Sequence, residues 1–230
     1  MNQDNQGLDF STVIASTVHD MKNSLAALTQ AHSQWLARLP EALRSGSEQG
    51  VMEHEFSHLN GMLVQLLGLY KLGVNQLPMC PDYHELDDFI EAQLAAQQNL
   101  LQHRDILASW RIETASPLGF FDRELVGSVV ANILNNAIRY AGHTLLISVN
   151  DEGEQLVLSI NDDGPGFPAR MLERQQEYVQ GIDGQSGSTG LGLYFAARIA
   201  GLHERNGVKG RIEIANGGAL GGGLFRLYLP

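Results

Sequence analysis

The sequence predicts an α+β protein: an N-terminal helical hairpin that forms a dimeric four-helix bundle, followed by an α/β two-layer sandwich. Three observations predict it. Over the first 75 residues apolar positions recur in alternating steps of four and three. That period stops at a cluster of breakers, Gly73, Pro78 and Pro81. Beyond the cluster, helical and strand patterns alternate, and neighbouring strands are separated by short turns.

The first seam runs Ile14, Val18, Met21, Leu25, Leu28, His32, Trp35 and Leu39, the spacing of a helix that packs on other helices. A second runs Met52, Phe56, Leu59, Leu63, Leu66 and Tyr70. Between them LPEALRSGSEQG supplies Pro40, Gly46 and Gly50 as breakers, and Ser11 stands where an N-cap belongs. Each seam covers only one side of its partner, so two helices alone bury too little. Two hairpins packed together solve this, which predicts a homodimer. Docking of the hairpin on the chain's own second half is the alternative. The stretch LGVNQLPMCPDYH sets the boundary, with 1–77 as the hairpin and 78–230 as the sandwich.

In the second part the pattern predicts a helix over 86–102, a strand over 106–112 and a long helix over 123–140. Strands over 145–149 and 155–160 join at a hairpin turn, 151–153. A helix over 191–202 and strands over 211–214 and 224–229 close the domain. Hairpin-paired strands with helices grouped elsewhere argue for two layers rather than a doubly wound sheet.

Composition excludes several classes. Asp and Glu outnumber Lys and Arg by 26 to 15, and no basic cluster is present, so nucleic acid is set aside. No apolar stretch approaches the ~20 residues that span a bilayer. The start, MNQDNQGLDF, has no basic region and no apolar core, so no signal peptide is expected. The single cysteine, Cys80, excludes an internal disulfide and fits a reducing compartment. A cytoplasmic location is the expectation.

Four segments of the second part carry chemistry. In NILNNAIRY, Asn132, Asn136 and Tyr140 stand at i, i+4 and i+8 on one helix face. Asn is a poor helix former. Such a stripe suits either an oxygen-seeking cation such as Mg2+ or a solvated face. Asp162-Asp163-Gly164-Pro165-Gly166 follows an apolar strand. A carboxylate there can accept from a ring amine beside glycines that admit a flat ligand, although an ordinary turn also accounts for it. Gly187-Ser188-Thr189-Gly190-Leu191-Gly192 opens the helix LYFAARIAGL, where free backbone N–H groups and the dipole favour anions. The order GxxGxG disfavours a dinucleotide fold. The fourth segment, 217–223, holds five glycines in seven residues and reads as a flexible turn.

In this order and spacing the segments resemble the N, G1, G2 and G3 boxes of the histidine kinase ATPase domain, whose fold is shared with gyrase B, Hsp90 and MutL. The resemblance covers roughly residue 83 to the C-terminus. It implies ATP and Mg2+ as cofactors. By it, Asn136 is the Mg2+ ligand, Asn132 lies beside the phosphates and Arg139 contacts phosphate. Tyr140 packs near the adenine, Asp162 binds the adenine amine, and Gly164 and Gly166 shape the pocket. Gly187, Thr189, Gly190, Leu191 and Gly192 face the triphosphate. Residues 167–186 correspond to the lid, with Gly181 and Gly184 as flexible points and no aromatic F box.

The fold alone serves several activities, and the hairpin decides between them. His19 follows the seam position Val18, so it flanks the bundle and stays reachable. Its neutral imidazole is a nucleophile for a γ-phosphate. Asp20 is a carboxylate able to take the proton, and Asn23 lies one turn on. HDMKNSL resembles the histidine kinase H box, with Ser24 where the family has a helix-bending proline. His32 falls on the seam as a core residue. His54 and His58 belong to a solvated face and lack further zinc ligands.

The expected function is a kinase that autophosphorylates His19 and passes the phosphoryl group to a response regulator. Asn23 also suits the reverse, phosphatase reaction. Eighteen residues precede His19, so the signal is expected from a separate sensor protein or from the bundle itself. The rival readings are a kinase-silent phosphatase or phosphotransfer module, and a non-enzymatic dimer that only binds nucleotide.

Overall fold

The computed structural model describes residues 10–39, 47–74, 77–173, 175 and 191–230. The chain divides into two compact units, Met1–Pro78 and Met79–Pro230. The first unit consists of α1 (Phe10–Ala37) packed against α2 (Ser47–Gly73). The two seams divide by alternate positions. On α1, Val18 and Leu25 are buried and His32 half-buried, as is Leu39 just past the helix end, each seven residues after the last; the side chain of Ile14 lies outside the described residues. The intervening Met21, Leu28 and Trp35 are exposed, Leu28 by 58% against 3% for Val18. On α2, Phe56, Leu63 and Tyr70 are half-buried, whereas Met52, Leu59 and Leu66 are exposed. Half of each seam is therefore used inside the hairpin and half is open. His32 packs edge-on against Phe56, with ring centroids 5.5 Å apart. The Nδ1 of His58 lies 3.9 Å from the Glu55 carboxylate and the residue is half-buried rather than fully solvated. The side chain of His54 lies outside the described residues.

The second unit begins with β1 (Asp82–Glu85), α3 (Leu86–Ala96), α4 (Gln98–His103), β2 (Leu107–Glu113) and β3 (Leu118–Phe121). It continues with α5 (Arg123–Tyr140), β4 (Thr144–Glu152), β5 (Gln155–Asp162) and α6 (Ala169–Glu173). It ends with α7 (Leu191–Leu202), β6 (Glu204–Arg205), β7 (Val208–Lys209), β8 (Arg211–Asn216) and β9 (Gly223–Leu229). The main sheet has the order β2-β4-β5-β9-β8. β4 and β5 form the expected hairpin, turning at Gly153 with φ 64°. Trp110, Ile147, Ile160, Phe225 and Ile214 stand opposite one another in a single row across all five strands. With Leu145, Val149, Leu158, Leu227 and Ile212 that row forms the face on which α3, α5 and α7 pack. The result is the α/β two-layer sandwich the pattern implied.

Three differences have physical reasons. The helix expected over 86–102 is two helices, because Gln97 at φ −103°, ψ 3° closes the first. β2 pairs with β4 in parallel, not through a hairpin, since β3 and α5 intervene as a crossover. The short ladders β1–β3 and β6–β7 are too brief to leave a period-2 signature. Among the described residues no helix is long and apolar enough to cross a membrane.

Asp122 fixes the register of α5. Its Oδ1 accepts from the N–H groups of Glu124 and Leu125 at 3.1 and 3.0 Å, capping the helix. Its Oδ2 accepts from Cys80 N–H at 2.8 Å. Its own N–H donates to Nε2 of His203 at 3.1 Å, while His203 Nδ1 donates to the Ile199 carbonyl at 2.9 Å. The ring is thus held neutral in one tautomer, and burial pushes its pKa below the ordinary value.

Candidate functional site

α5 and β5 deliver their polar ends to the same edge of the sandwich. Asp162 is the last residue of β5, opposite Leu145 and so on the helix-packed face of the sheet. It is buried, with 9% exposed. Its Oδ1 accepts from Gly164 N–H at 2.8 Å and Gly223 N–H at 3.1 Å, and its carbonyl accepts from Gly222 N–H at 3.0 Å. Its Oδ2 accepts no hydrogen bond among the described residues, leaving one carboxylate oxygen available to a ligand donor.

The glycines around it are required by close approach. A Cβ on Gly164 would strike the Tyr140 carbonyl. One on Gly222 would come within 2.6 Å of Asp162 Oδ1, and one on Gly223 within 2.6 Å of Oδ2. The run 217–223 is therefore not a plain flexible turn: its end is folded onto Asp162, and Ala219 N–H donates to Asn161 Oδ1 at 3.0 Å. The glycine count alone did not separate these roles.

Asp163 faces the other way. It accepts from the N–H groups of Gly142 at 2.8 Å and His143 at 3.0 Å, joining the loop after α5 to the loop after β5. Burial raises its pKa, but hydrogen bonds from His143, Thr144 and Gly142 outweigh that and bring it to about 2. The adjacent aspartates thus divide their work: Asp162 keeps an oxygen free, while Asp163 fastens the frame.

On α5, Val126, Val129, Val130, Ile133, Leu134, Ala137 and Ile138 are buried. The opposite stripe carries the sequence-predicted residues. Asn132 is half-buried against the first turn of α7, where a Cβ on Gly192 would lie 2.7 Å from its Nδ2. Asn136 is exposed. Arg139 and Tyr140 are exposed as well, and the guanidinium lies 5.6 Å from the Tyr140 ring centre. Asn135, which sequence reasoning did not select, has a buried Oδ1 with no hydrogen-bond partner among the described residues.

The structure therefore gathers Tyr140, Asp162 and Gly164 at one point, and Asn132 and Gly192 about two helical turns along α5. Gly166 adjoins Asn216. Leu191 begins α7. Gly187, Thr189 and Gly190 lie outside the described residues. His19, Asp20 and Asn23 belong to the first unit, all exposed on α1, and His19 and Asp20 are not hydrogen-bonded to each other. Ser24 replaces no helical contact there, since its hydroxyl donates back to the Asp20 carbonyl at 2.9 Å. Asn161, Asp163, Asn216 and Asp122 were missed, because a polar residue at a strand or helix end looks alike whether it braces a loop or faces water.

Residues 121–230 match the family of histidine kinase-, DNA gyrase B- and HSP90-like ATPases. Those residues form an ATPase domain of that kind. The chain is 29% identical over 194 residues to the sensor histidine kinase YkoH of Bacillus subtilis (strain 168), a match covering 80% of this chain and 41% of that protein. The histidine kinase AdeS of Acinetobacter baumannii shares its fold with a TM-score of 0.57 and 21% identity, covering 92% of this chain and 96% of that one. Full-length ShkA in complex with AMPPNP gives 0.66 and 17%, covering 95% and 45%. The chain spans 41%, 12% and 51% of the lengths of three curated relatives it matches. The ATPase core fits a purine nucleotide on its own geometry. It has a buried carboxylate with one free oxygen, glycine backbone on both sides of it, and a stripe of amides leading to a helix N-terminus.

Proposed function

We propose that the protein is a homodimeric, cytoplasmic histidine kinase core that phosphorylates its own His19 from Mg-ATP and passes the phosphoryl group to an aspartate of a response regulator. The observation that carries this reading is the free Oδ2 of buried Asp162, held between glycine backbones in a histidine kinase-type ATPase core. Asp162 Oδ2 accepts from the adenine amine, and Gly164 and Gly166 admit the ring. Tyr140 borders the base, while Asn132, Arg139 and the 187–192 segment, with Gly187, Thr189, Gly190, Leu191 and Gly192, attend the phosphates. Asn136 would hold Mg2+, which neutralises phosphate charge; a single amide oxygen suits a cation that keeps several waters and binds substrate phosphates.

A lone pair on the His19 imidazole forms the new N–P bond as the bond between the γ-phosphorus and its bridging oxygen breaks, and ADP leaves with that electron pair. The ring proton passes to Asp20. Exposure of His19 supports this role, because the nucleophile has to be reachable. The open halves of both seams, with Leu28, Trp35, Leu59 and Leu66 exposed, support a second copy as their cover.

The test is incubation with γ-labelled ATP and Mg2+ beside His19→Gln. Acid-labile, base-stable label that vanishes in the variant establishes the reaction and its site. Absence of label with nucleotide still bound overturns the autokinase. One observation favours the kinase-silent phosphatase or phosphotransfer reading in that event: Asp20 is not bonded to His19, and its carbonyl is held by Ser24.

A further inference from the structure

The loop 163–167 forms one wall beside the free oxygen of Asp162, and its far end is held by a residue no motif contains. Asn216, the last residue of edge strand β8, makes two hydrogen bonds to the main chain of Phe167. Phe167 N–H donates to Asn216 Oδ1 at 2.7 Å, and Asn216 Nδ2 donates to the Phe167 carbonyl at 2.8 Å. One side chain thus pairs with both backbone groups of a residue, as a neighbouring strand would. Gly166, at φ 77°, brings the loop so close that a Cβ there would lie 2.6 Å from Asn216 Oδ1. Across the ladder Asn216 stands opposite Gly223. A Cβ on Gly223 would meet Asp162 Oδ2 at 2.6 Å and the Phe167 ring edge, Cε2, at 3.4 Å. The ring of Phe167 and the free oxygen of Asp162 therefore border the same small space above Gly223.

We infer that Asn216 is a positioning residue for nucleotide binding: it locks the Phe167 main chain so that the ring and the Gly164–Gly166 backbone stand at base-stacking distance from Asp162. This rests on the nucleotide reading of the site. Asp162 Oδ1 and Asp163 already hold the near end of the loop. Without Asn216 the far end is fastened by neither strand nor helix until α6 begins at Ala169. Ordering it then falls to the ligand, and affinity drops by that cost. Because the residue acts on the base side, the loss is the same whatever the number of phosphates.

The experiment is equilibrium binding of Mg-AMPPNP and of Mg-ADP to the full chain, the wild type beside Asn216→Ala, Asn216→Asp, Gly166→Ala and the Asn216→Ala/Gly166→Ala pair, with thermal melts of each. Asn216→Ala is expected to weaken both nucleotides by the same factor, about tenfold, for two lost hydrogen bonds. Asn216→Asp keeps the acceptor but opposes an oxygen to the Phe167 carbonyl, so it is expected to bind no better than Asn216→Ala. The double variant is expected to lose less than the product of the singles, because the added Cβ then has room. Wild-type affinity in Asn216→Ala overturns the proposal and leaves the nucleotide reading standing, as does a melt that falls while affinity holds. A wild type that binds neither nucleotide overturns the reading, and the proposal with it.

Discussion

The helical hairpin and the ATPase core satisfy themselves to different degrees. In the core most apolar residues of α5, β4, β5 and β9 are buried, and the polar ends are internally bonded: Asp122, Asn161, Asp162 and His203 all have protein partners. In the hairpin every second seam residue among those described is left exposed, as are His19, Asp20 and Asn23. A core that fixes its own polar groups is pre-organised for a ligand. A hairpin that leaves half its seam open still has apolar surface to bury, which the proposed second copy would cover. Equal substitutions in the two regions should therefore have unequal consequences, and that inequality can be measured.

The largest contrast is between Leu134 and Leu28, one fully buried on α5 and the other exposed on α1. Leu134→Ala is expected to destabilise the core by about 3 kcal/mol, read from denaturant melts. Leu28→Lys should cost the monomer less than about 0.5 kcal/mol, as a surface change. It should instead convert a dimer to a monomer in light scattering, with label on His19 falling in step if phosphorylation occurs between copies. A hairpin that is monomeric in the wild type would end the bundle proposal.

Next is Asp162→Asn. The amide oxygen can still accept from Gly164 and Gly223, so the loop should fold, but an NH2 then meets the adenine amine. The expected loss is roughly a hundredfold in Mg-AMPPNP affinity, a donor facing a donor in a buried site. An unchanged affinity would mean that Oδ2 does not face the base.

These contrasts also explain what the sequence could and could not disclose. The seams, the β4–β5 hairpin and the grouping of Asp162 with its neighbouring glycines rest on local periodicity or on residues a few positions apart, and such signals survive in a string. The split of each seam into a used and an open half was not legible, since Val18 and Leu28 are both apolar and only packing tells them apart. The parallel β2–β4 pairing was hidden because register depends on an intervening helix, not on either strand. Asn216 and Phe167 are 49 residues apart, and Asp122 and His203 81, separations at which a polar pair leaves no pattern.

A smaller effect concerns that second pair. His203 is buried and neutral, with its pKa pushed below 6.5 by burial. The unfolded chain therefore takes up a proton that the folded chain refuses. The stability this histidine contributes is complete above pH 6.5 and is lost as pH falls below it. Melts from pH 8 down to pH 5 should show the core weakening on this limb, and His203→Gln should flatten it while lowering stability at pH 8. A wild type that gains stability between pH 7 and pH 5 would contradict the neutral tautomer.

The smallest expected effect belongs to Asp163, and it separates bracing from binding within one dipeptide. Its carboxyl is held at about 2, against 3.8 when unperturbed. A depressed carboxylate pKa stabilises the folded state above the unfolded value, and that contribution disappears as pH falls from near 4 through 2. At neutral pH Asp163→Asn should lower stability slightly, since the amide can still accept from Gly142 and His143 but without charge. Its acid limb between pH 4 and 2 should be shallower than that of the wild type. Mg-AMPPNP affinity should stay within about threefold, well short of the loss in Asp162→Asn. Equal losses in the two variants would show that the loop is one cooperative unit and that the division of labour between its aspartates does not hold.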